Sequence, residues 1–250
     1  MKHVILIPVR LASTRLPQKA LIDIHGKPAL QHLLERLKLS KCADAIVVCT
    51  TTNESDDPLA ALCEKCAVSC FRGSEKDLLQ RLSDAAQTVD AEILLCVDGD
   101  DMMMDPEQVD QIADYMDQHD VAFVRLSGLP FGANPIGLKA SALRSVCEEK
   151  DTADTATGWG VYFEDSDAYQ VDSLSVEDPA LMRPEIRVTL DYPEDLTFIR
   201  ALFDALYEEG PSIRIRQVIS LIDRQPELLE LNAGLEEKYW KHVAENQTGA

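Results

Sequence analysis

The chain alternates short, nearly continuous apolar runs with polar segments of helical spacing, and that alternation leaves it few folds. The runs are 3–9 (HVILIPV), 45–50 (AIVVCT), 92–100 (EILLCVDGD) and 120–126 (DVAFVRL), with a weaker one at 68–73 (VSCFRG). Each is far shorter than the roughly 20 apolar residues a bilayer span needs. None alternates polar with apolar as a half-exposed strand would, so they predict strands buried on both faces. Between them, Pro28 opens a segment with Leu30, Leu33, Leu34 and Leu37 on one helical face, and 57–67, 77–89 and 106–118 also read as helices. Strand and helix in turn, with short connections, predict an α/β fold: a Rossmann-like, mainly parallel sheet flanked by helices. The rhythm breaks across 127–186, where scattered Gly, Pro and Asp suggest a smaller insert. It resumes after Tyr192 as a helix with Leu196, Ile199, Leu202, Phe203 and Leu206 on one face, and 211–250 reads as a helical tail. No internal repeat or low-complexity tract appears, so 1–250 is read as one domain.

Composition narrows the function. The net charge is −20, and a field of that sign repels a nucleic-acid backbone. Yet residues 1–41 hold eight Lys and Arg against Asp23 and Glu35, a local +6, which leaves −26 on the remainder. An acidic protein with a cationic first segment points to a small anionic ligand. No membrane partner is expected either. The seven cysteines are odd in number and irregularly spaced. Together with the lack of a secretory apolar region near the N-terminus, they predict a reduced, cytoplasmic protein. Cys63, Cys66 and Cys70 read as small hydrophobes rather than metal ligands, and the histidines never pair at zinc-ligand spacing.

Ligands of open α/β sheets bind beyond the carboxyl ends of the strands. Two such ends carry chemistry. After the first strand, Arg10-Leu-Ala-Ser-Thr-Arg15-Leu-Pro-Gln-Lys19 sets three cations and two hydroxyls around small residues that let backbone amides approach an anion. It is neither a P-loop nor a dinucleotide fingerprint, because the glycines are missing; a solvated basic loop is the plain alternative. After the 92–100 run, Asp98-Gly99-Asp100-Asp101 suits a hard cation such as Mg²⁺, and equally an ordinary turn. A third patch, Arg187 to Asp195, reads as a strand end with Asp191 as a helix cap.

Together these strings resemble the cytidylyltransferase branch of the GT-A nucleotidyltransferases, which includes the CMP-Kdo and acylneuraminate synthetases. These strings resemble in particular the spore-coat polysaccharide biosynthesis protein F group. The matching strings are 5–21 (ILIPVRLASTRLPQKAL), 26–37, 46–59, 71–81 (FRGSEKDLLQR), 99–107 (GDDMMMDPE), 188–203 (VTLDYPEDLTFIRALF) and 226–238. The resemblance implies that Arg10, Ser13, Arg15 and Lys19, with loop amides from Ala12 to Thr14, hold a nucleoside triphosphate. Arg15, Lys19 and Asp100 would be catalytic, Asp100 and Asp191 would hold Mg²⁺, and Arg72 and Ser74 would approach the nucleoside. It further implies CTP as donor, an acidic sugar as acceptor, pyrophosphate release, surface polysaccharide synthesis, and a homodimer built through 127–186. The chain departs from its relatives at Asp101-Met102, where they tend to carry Cys-Pro or Glu-Pro, and lacks their Glu-His pair in the acceptor segment. A GT-A glycosyltransferase, a cytidylyltransferase with a phosphorylated or phosphonate acceptor, and an inactive homologue therefore stay open beside the first reading.

Overall fold

The 3–9 run forms β1 (His3–Pro8), buried along its whole length at the centre of the sheet. This computed structural model describes residues 2–155, 158–208 and 213–246. After β1 come a small hairpin of β2 (Asp23–Ile24) and β3 (Lys27–Pro28), then α1 (Ala29–Leu37), β4 (Ala45–Thr51), α2 (Asp57–Lys65), β5 (Ser69–Gly73), α3 (Leu78–Thr88), β6 (Ile93–Cys96), α4 (Pro106–Gln118) and β7 (Phe123–Ser127). β8 (Ile136–Lys139), α5 (Ala140–Glu149), the short α6 (Val161–Glu164), β9 (Val171–Ser175), α7 (Pro193–Leu206), α8 (Ile215–Arg224) and α9 (Leu235–Asn246) complete the order.

The main sheet runs β5-β4-β1-β6-β8-β7-β9. β8 is antiparallel to both its neighbours and every other adjacent pair is parallel, so the sheet is mainly parallel as expected. β1 feeds both covering layers: Ile5 and Ile7 belong to one apolar cluster, Val4 and Leu6 to the other. The 127–186 region supplies β8, which fills the place between β6 and β7, and the edge strand β9. Its strand signal is weak because β8 has only four residues, one of them glycine, and β9 (VDSLS) is half polar.

Met102, Met103 and Met104 are fully buried and fill apolar space beside α4, as the sequence suggests. All seven cysteines are free; Cys63 is fully buried, and Cys66 and Cys70 pack against the same core. No helix among the described residues is long and apolar enough to cross a membrane. Residues 156–157 of the 154–159 stretch, and 211–212 and 247–250 of the tail, lie outside the described residues.

Candidate active site

The site begins with a steric requirement at β6. A Cβ on Gly99 would lie 2.6 Å from Val9 Cβ and 3.1 Å from the Pro8 carbonyl, so only glycine lets the β6 exit run this close to β1. The Gly99 amide uses the approach to donate to Pro8 O at 3.1 Å. The chain then turns, with Asp101 N donating to Asp98 O at 3.0 Å, and Asp98, Asp100 and Asp101 are gathered at one strand end. One carboxylate oxygen from each lies within 4.8 Å of the others; among the described residues this is the one group of three or more candidate metal ligands.

The loop after β1 delivers the cations to this cluster. Lys19 Nζ contacts Asp100 and lies 2.8 Å from Asp191 Oδ1; Arg15 Nη2 lies 2.5 Å from the same oxygen. Arg187 Nη2 takes the other oxygen of Asp191 at 3.0 Å. Segment 186–190 holds Asp191 here, with Leu190 N donating to Asp100 O at 3.0 Å and Val188 N to Phe131 O at 2.8 Å. Behind it, the fully buried Asp195 receives Arg187 Nε at 2.9 Å, the amides of Asp191 and Tyr192 at 3.0 Å each, and Asn232 Nδ2 at 3.1 Å.

That arrangement corrects one expectation. Asp191 does not cap α7; Tyr192 is the N-cap residue and Asp195 satisfies its amide. The Asp191 carboxylate is thereby free for three cations.

The electrostatics follow from this geometry. Burial lowers the Lys19 pKa, but the charges of Asp100 and Asp191 outweigh it and hold the ammonium above its ordinary value. Burial raises Asp191, and Lys19, Arg15 and Arg187 together bring it below the usual carboxylate range. Asp98 opens to solvent, yet the protein crowded around it, and then the Asp100 charge, push its pKa up to about 7. Burial, with Asp100 and Asp98 beside it, raises Asp101 well above its normal range. Three acids face one another with fewer cations than charge neutrality asks for.

Of the other residues singled out in the sequence, Ala12 and Thr14 are exposed and Ser13 is half-buried, its Oγ accepting from Leu16 N at 3.3 Å. The loop is pinned from below by Leu11 N, which donates to the buried Asp56 at 2.8 Å. Arg10 reaches the Glu75 carbonyl at 3.4 Å, next to the exposed Ser74, whose Oγ accepts from Asp77 N. Arg72 is committed elsewhere: it donates to the Thr51 and Asn53 carbonyls at 2.9 and 2.7 Å and pairs with Asp57. The structure thus brings Arg15, Lys19, Asp100 and Asp191 into direct contact; no hydrogen bond or ion pair among the described residues ties Arg72 or Ser74 to them.

The cationic excess of 1–41 is only partly for this site. Arg36 is buried and clamps the carbonyls of Met103, Met104 and Ile213, while Lys2 and Lys27 pair with Asp117 and Glu35. Arg187 and Asp195 bound the third patch in the sequence but carried no role there, and Asn232 and Tyr239 were not singled out. For the first two a signal existed: Arg187, Asp191 and Asp195 recur every fourth residue across a strand end and the start of a helix.

An open α/β sheet that gathers a cationic loop and a carboxylate cluster beyond the carboxyl ends of β1 and β6 has the architecture of a nucleotidyltransferase. The comparisons make the assignment specific: the chain belongs to the cytidylyltransferase family, whose model matches residues 4–219. It is 30% identical to the spore coat polysaccharide biosynthesis protein SpsF of Bacillus subtilis over 89% of this chain and 94% of that protein. Among solved structures it resembles a cytidylyltransferase from Leptospira borgpetersenii, with a TM-score of 0.83 and 27% identity over 91% of this chain and 96% of that one. It shares the fold of CMP:2-keto-3-deoxy-manno-octonic acid synthetase complexed with CTP, at a TM-score of 0.62 and 18% identity over 83% of this chain and 100% of that one. The protein is accordingly a nucleotidyltransferase of the class that transfers CMP from CTP.

Proposed function

We propose that the enzyme transfers CMP from CTP to a hydroxyl of an acidic sugar, with release of pyrophosphate, for surface polysaccharide assembly. The observation that carries this reading is the Arg15–Asp191–Lys19–Asp100 cluster, where two cations from the loop after β1 meet the carboxylates of Asp100, beyond β6, and Asp191, just before α7. A triphosphate needs such cations more than a diphosphate sugar does, because it bears more charge. The SpsF likeness supports the polysaccharide setting. Seven free cysteines fit a reducing, cytoplasmic location for the step.

In the reaction the acceptor oxygen forms a bond to the α-phosphorus, the bond from that phosphorus to the bridging oxygen breaks, and the hydroxyl proton is lost to water. The protein contributes position and charge rather than a covalent intermediate. Arg10, Ser13 and the backbone amides of the exposed Ala12 and Thr14 bind the phosphates. Arg15 and Lys19 neutralise charge that builds on the departing pyrophosphate. Arg72 and Ser74 border the nucleoside from the β5 exit.

The donor set fits Mg²⁺: every candidate ligand is a hard carboxylate oxygen, and the crowding that raises Asp98 and Asp101 is relieved by a divalent cation. Asp100 would hold it with Asp98 or Asp101. Asp191, now bound with Asp100 to Lys19, would add a further ligand if that ammonium turned to the triphosphate. What Mg²⁺ supplies when bound is neutralised phosphate oxygens and a lower pKa for the attacking hydroxyl.

The test is pyrophosphate release from CTP and Mg²⁺ with 3-deoxy-manno-octulosonate, N-acetylneuraminate and related acidic sugars. Wild type should turn over with one of them, and Asp100→Asn should lose about 10²-fold or more in kcat/KM while melting as a folded protein. Consumption of a UDP-sugar with no use of CTP would contradict the reading.

A further inference from the structure

The last helix lies over the cation cluster. Tyr239 of α9 presents its ring to two guanidinium groups, 5.4 Å from Arg15 and 5.5 Å from Arg187 at the centroid. Tyr192 also lies against Arg15, at 5.5 Å, so this arginine, which the proposed reaction needs at the triphosphate, has two tyrosine rings against it. The neighbouring side chains reinforce the placement: Lys238 Nζ lies 4.3 Å from the centre of the Tyr192 ring, and Trp240 packs on Phe131 at 6.0 Å. Burial, and after it the charges of Asp98, Asp191, Asp100 and Asp101, raise the Tyr239 hydroxyl above its ordinary value.

Despite these contacts α9 is lightly anchored. Of its described side chains only Leu235 is buried, and Trp240 is 52% exposed. The chain before it is fixed by Asn232, which is buried and donates to Arg187 O and Asp195 Oδ1 at 3.1 Å each. Between anchor and helix, Gly234 has φ +74° and no atom within 4 Å of where a Cβ would be. A residue free of both steric contact and the usual backbone restriction is suited to act as a swivel. A helix with few buried apolar contacts belongs to the low-stability elements from which lids are drawn.

We propose that α9 is a lid over the nucleotide site, swivelling at Gly234, and that Tyr239 is the positioning residue that holds Arg15 toward the triphosphate. The proposal rests on the CTP reading above. With the lid closed, the Tyr239 ring orders a long, mobile side chain before the ligand arrives, so binding costs less entropy. With α9 swung away, the ring leaves Arg15 and the cluster opens to ligand.

Two measurements test it. In a Trp159→Phe variant Trp240 is the sole tryptophan, and its emission should shift when CTP and Mg²⁺ are added. Tyr239→Leu should raise KM for CTP about tenfold with kcat within about twofold of wild type, while Tyr239→Phe, which keeps the ring, should restore KM. A merely structural Tyr239 would instead lower kcat through loss of folded enzyme and leave KM unchanged. Silent Trp240 emission in an enzyme that turns over CTP, or a wild-type KM in Tyr239→Leu, would overturn the lid and leave the CTP reading standing. Failure of wild type to bind CTP at all would overturn both.

Discussion

At the residue scale the site is a balance of pKa shifts with opposite signs. Asp191 lies below its ordinary 3.8, so the stability it contributes is complete above that pH and is lost as the pH falls further. Lys19 lies above 10.5, so its contribution is complete below that pH and is lost only as the pH rises through the raised value. Asp98 works the other way. With its pKa raised from 3.8 to about 7, folding becomes progressively less favourable as the pH climbs across that window. In metal-free buffer Asp98→Asn should therefore melt higher than wild type above pH 7, by about 2 °C, with the gap closing below pH 3.8. A gap of equal size at every pH would contradict the assigned cause. The cations and acids of this balance were legible in the sequence where they lie close together: Arg10 to Lys19 in one loop, Asp98 to Asp101 in one turn. The every-fourth-residue spacing of Arg187, Asp191 and Asp195 marked them as a group, but the role of Arg187 and Asp195 was not legible, because it depends on their being buried behind Asp191. Arg36 shows the converse. Its charge counted toward an anion site, yet it serves three backbone carbonyls in the core.

At the element scale, the strands β1, β4 and β6 and the helices between them follow directly from apolar runs and helical spacing, and 106–118 matches α4 at both ends. β8 and β9 escaped because a four-residue strand with a glycine and a half-polar edge strand carry too little pattern. Asp191 as a cap was the natural reading of an acid two residues before Pro193, and it failed because Asp195 competes for the same amides from inside the helix. The joint between β1 and β6 is the element-level feature with the greatest consequence for the site. Gly99→Ala forces a Cβ to 2.6 Å from Val9 Cβ. It should cost about 1–3 kcal/mol in denaturant unfolding, and the displaced 98–101 turn should weaken turnover beyond what the stability loss explains. A variant with wild-type stability and turnover would show that the joint is looser than drawn.

At the scale of the whole molecule, the net charge of −20 and the cationic loop after β1 combine a surface that repels nucleic acid with a local site for a small anion. The loop after β1 and the turn after β6 meet because the parallel sheet aims its strand ends at one edge, while the 186–195 segment is tied there through Asp100 and Phe131 and α9 through Tyr239. As proposed, the site is selective for a triphosphate and dependent on a divalent cation. The most direct test is the melting temperature with CTP, UTP, GTP, ATP and UDP-glucose, each with and without Mg²⁺. Ligand at 100 times its Kd stabilises a fold by about 2.7 kcal/mol, which for a chain of this size is a rise of about 5–10 °C. The expected result is that rise with CTP and Mg²⁺ together, sharply reduced in Asp100→Asn; a rise with UDP-glucose alone, or an equal rise in Asp100→Asn, would contradict the proposed function.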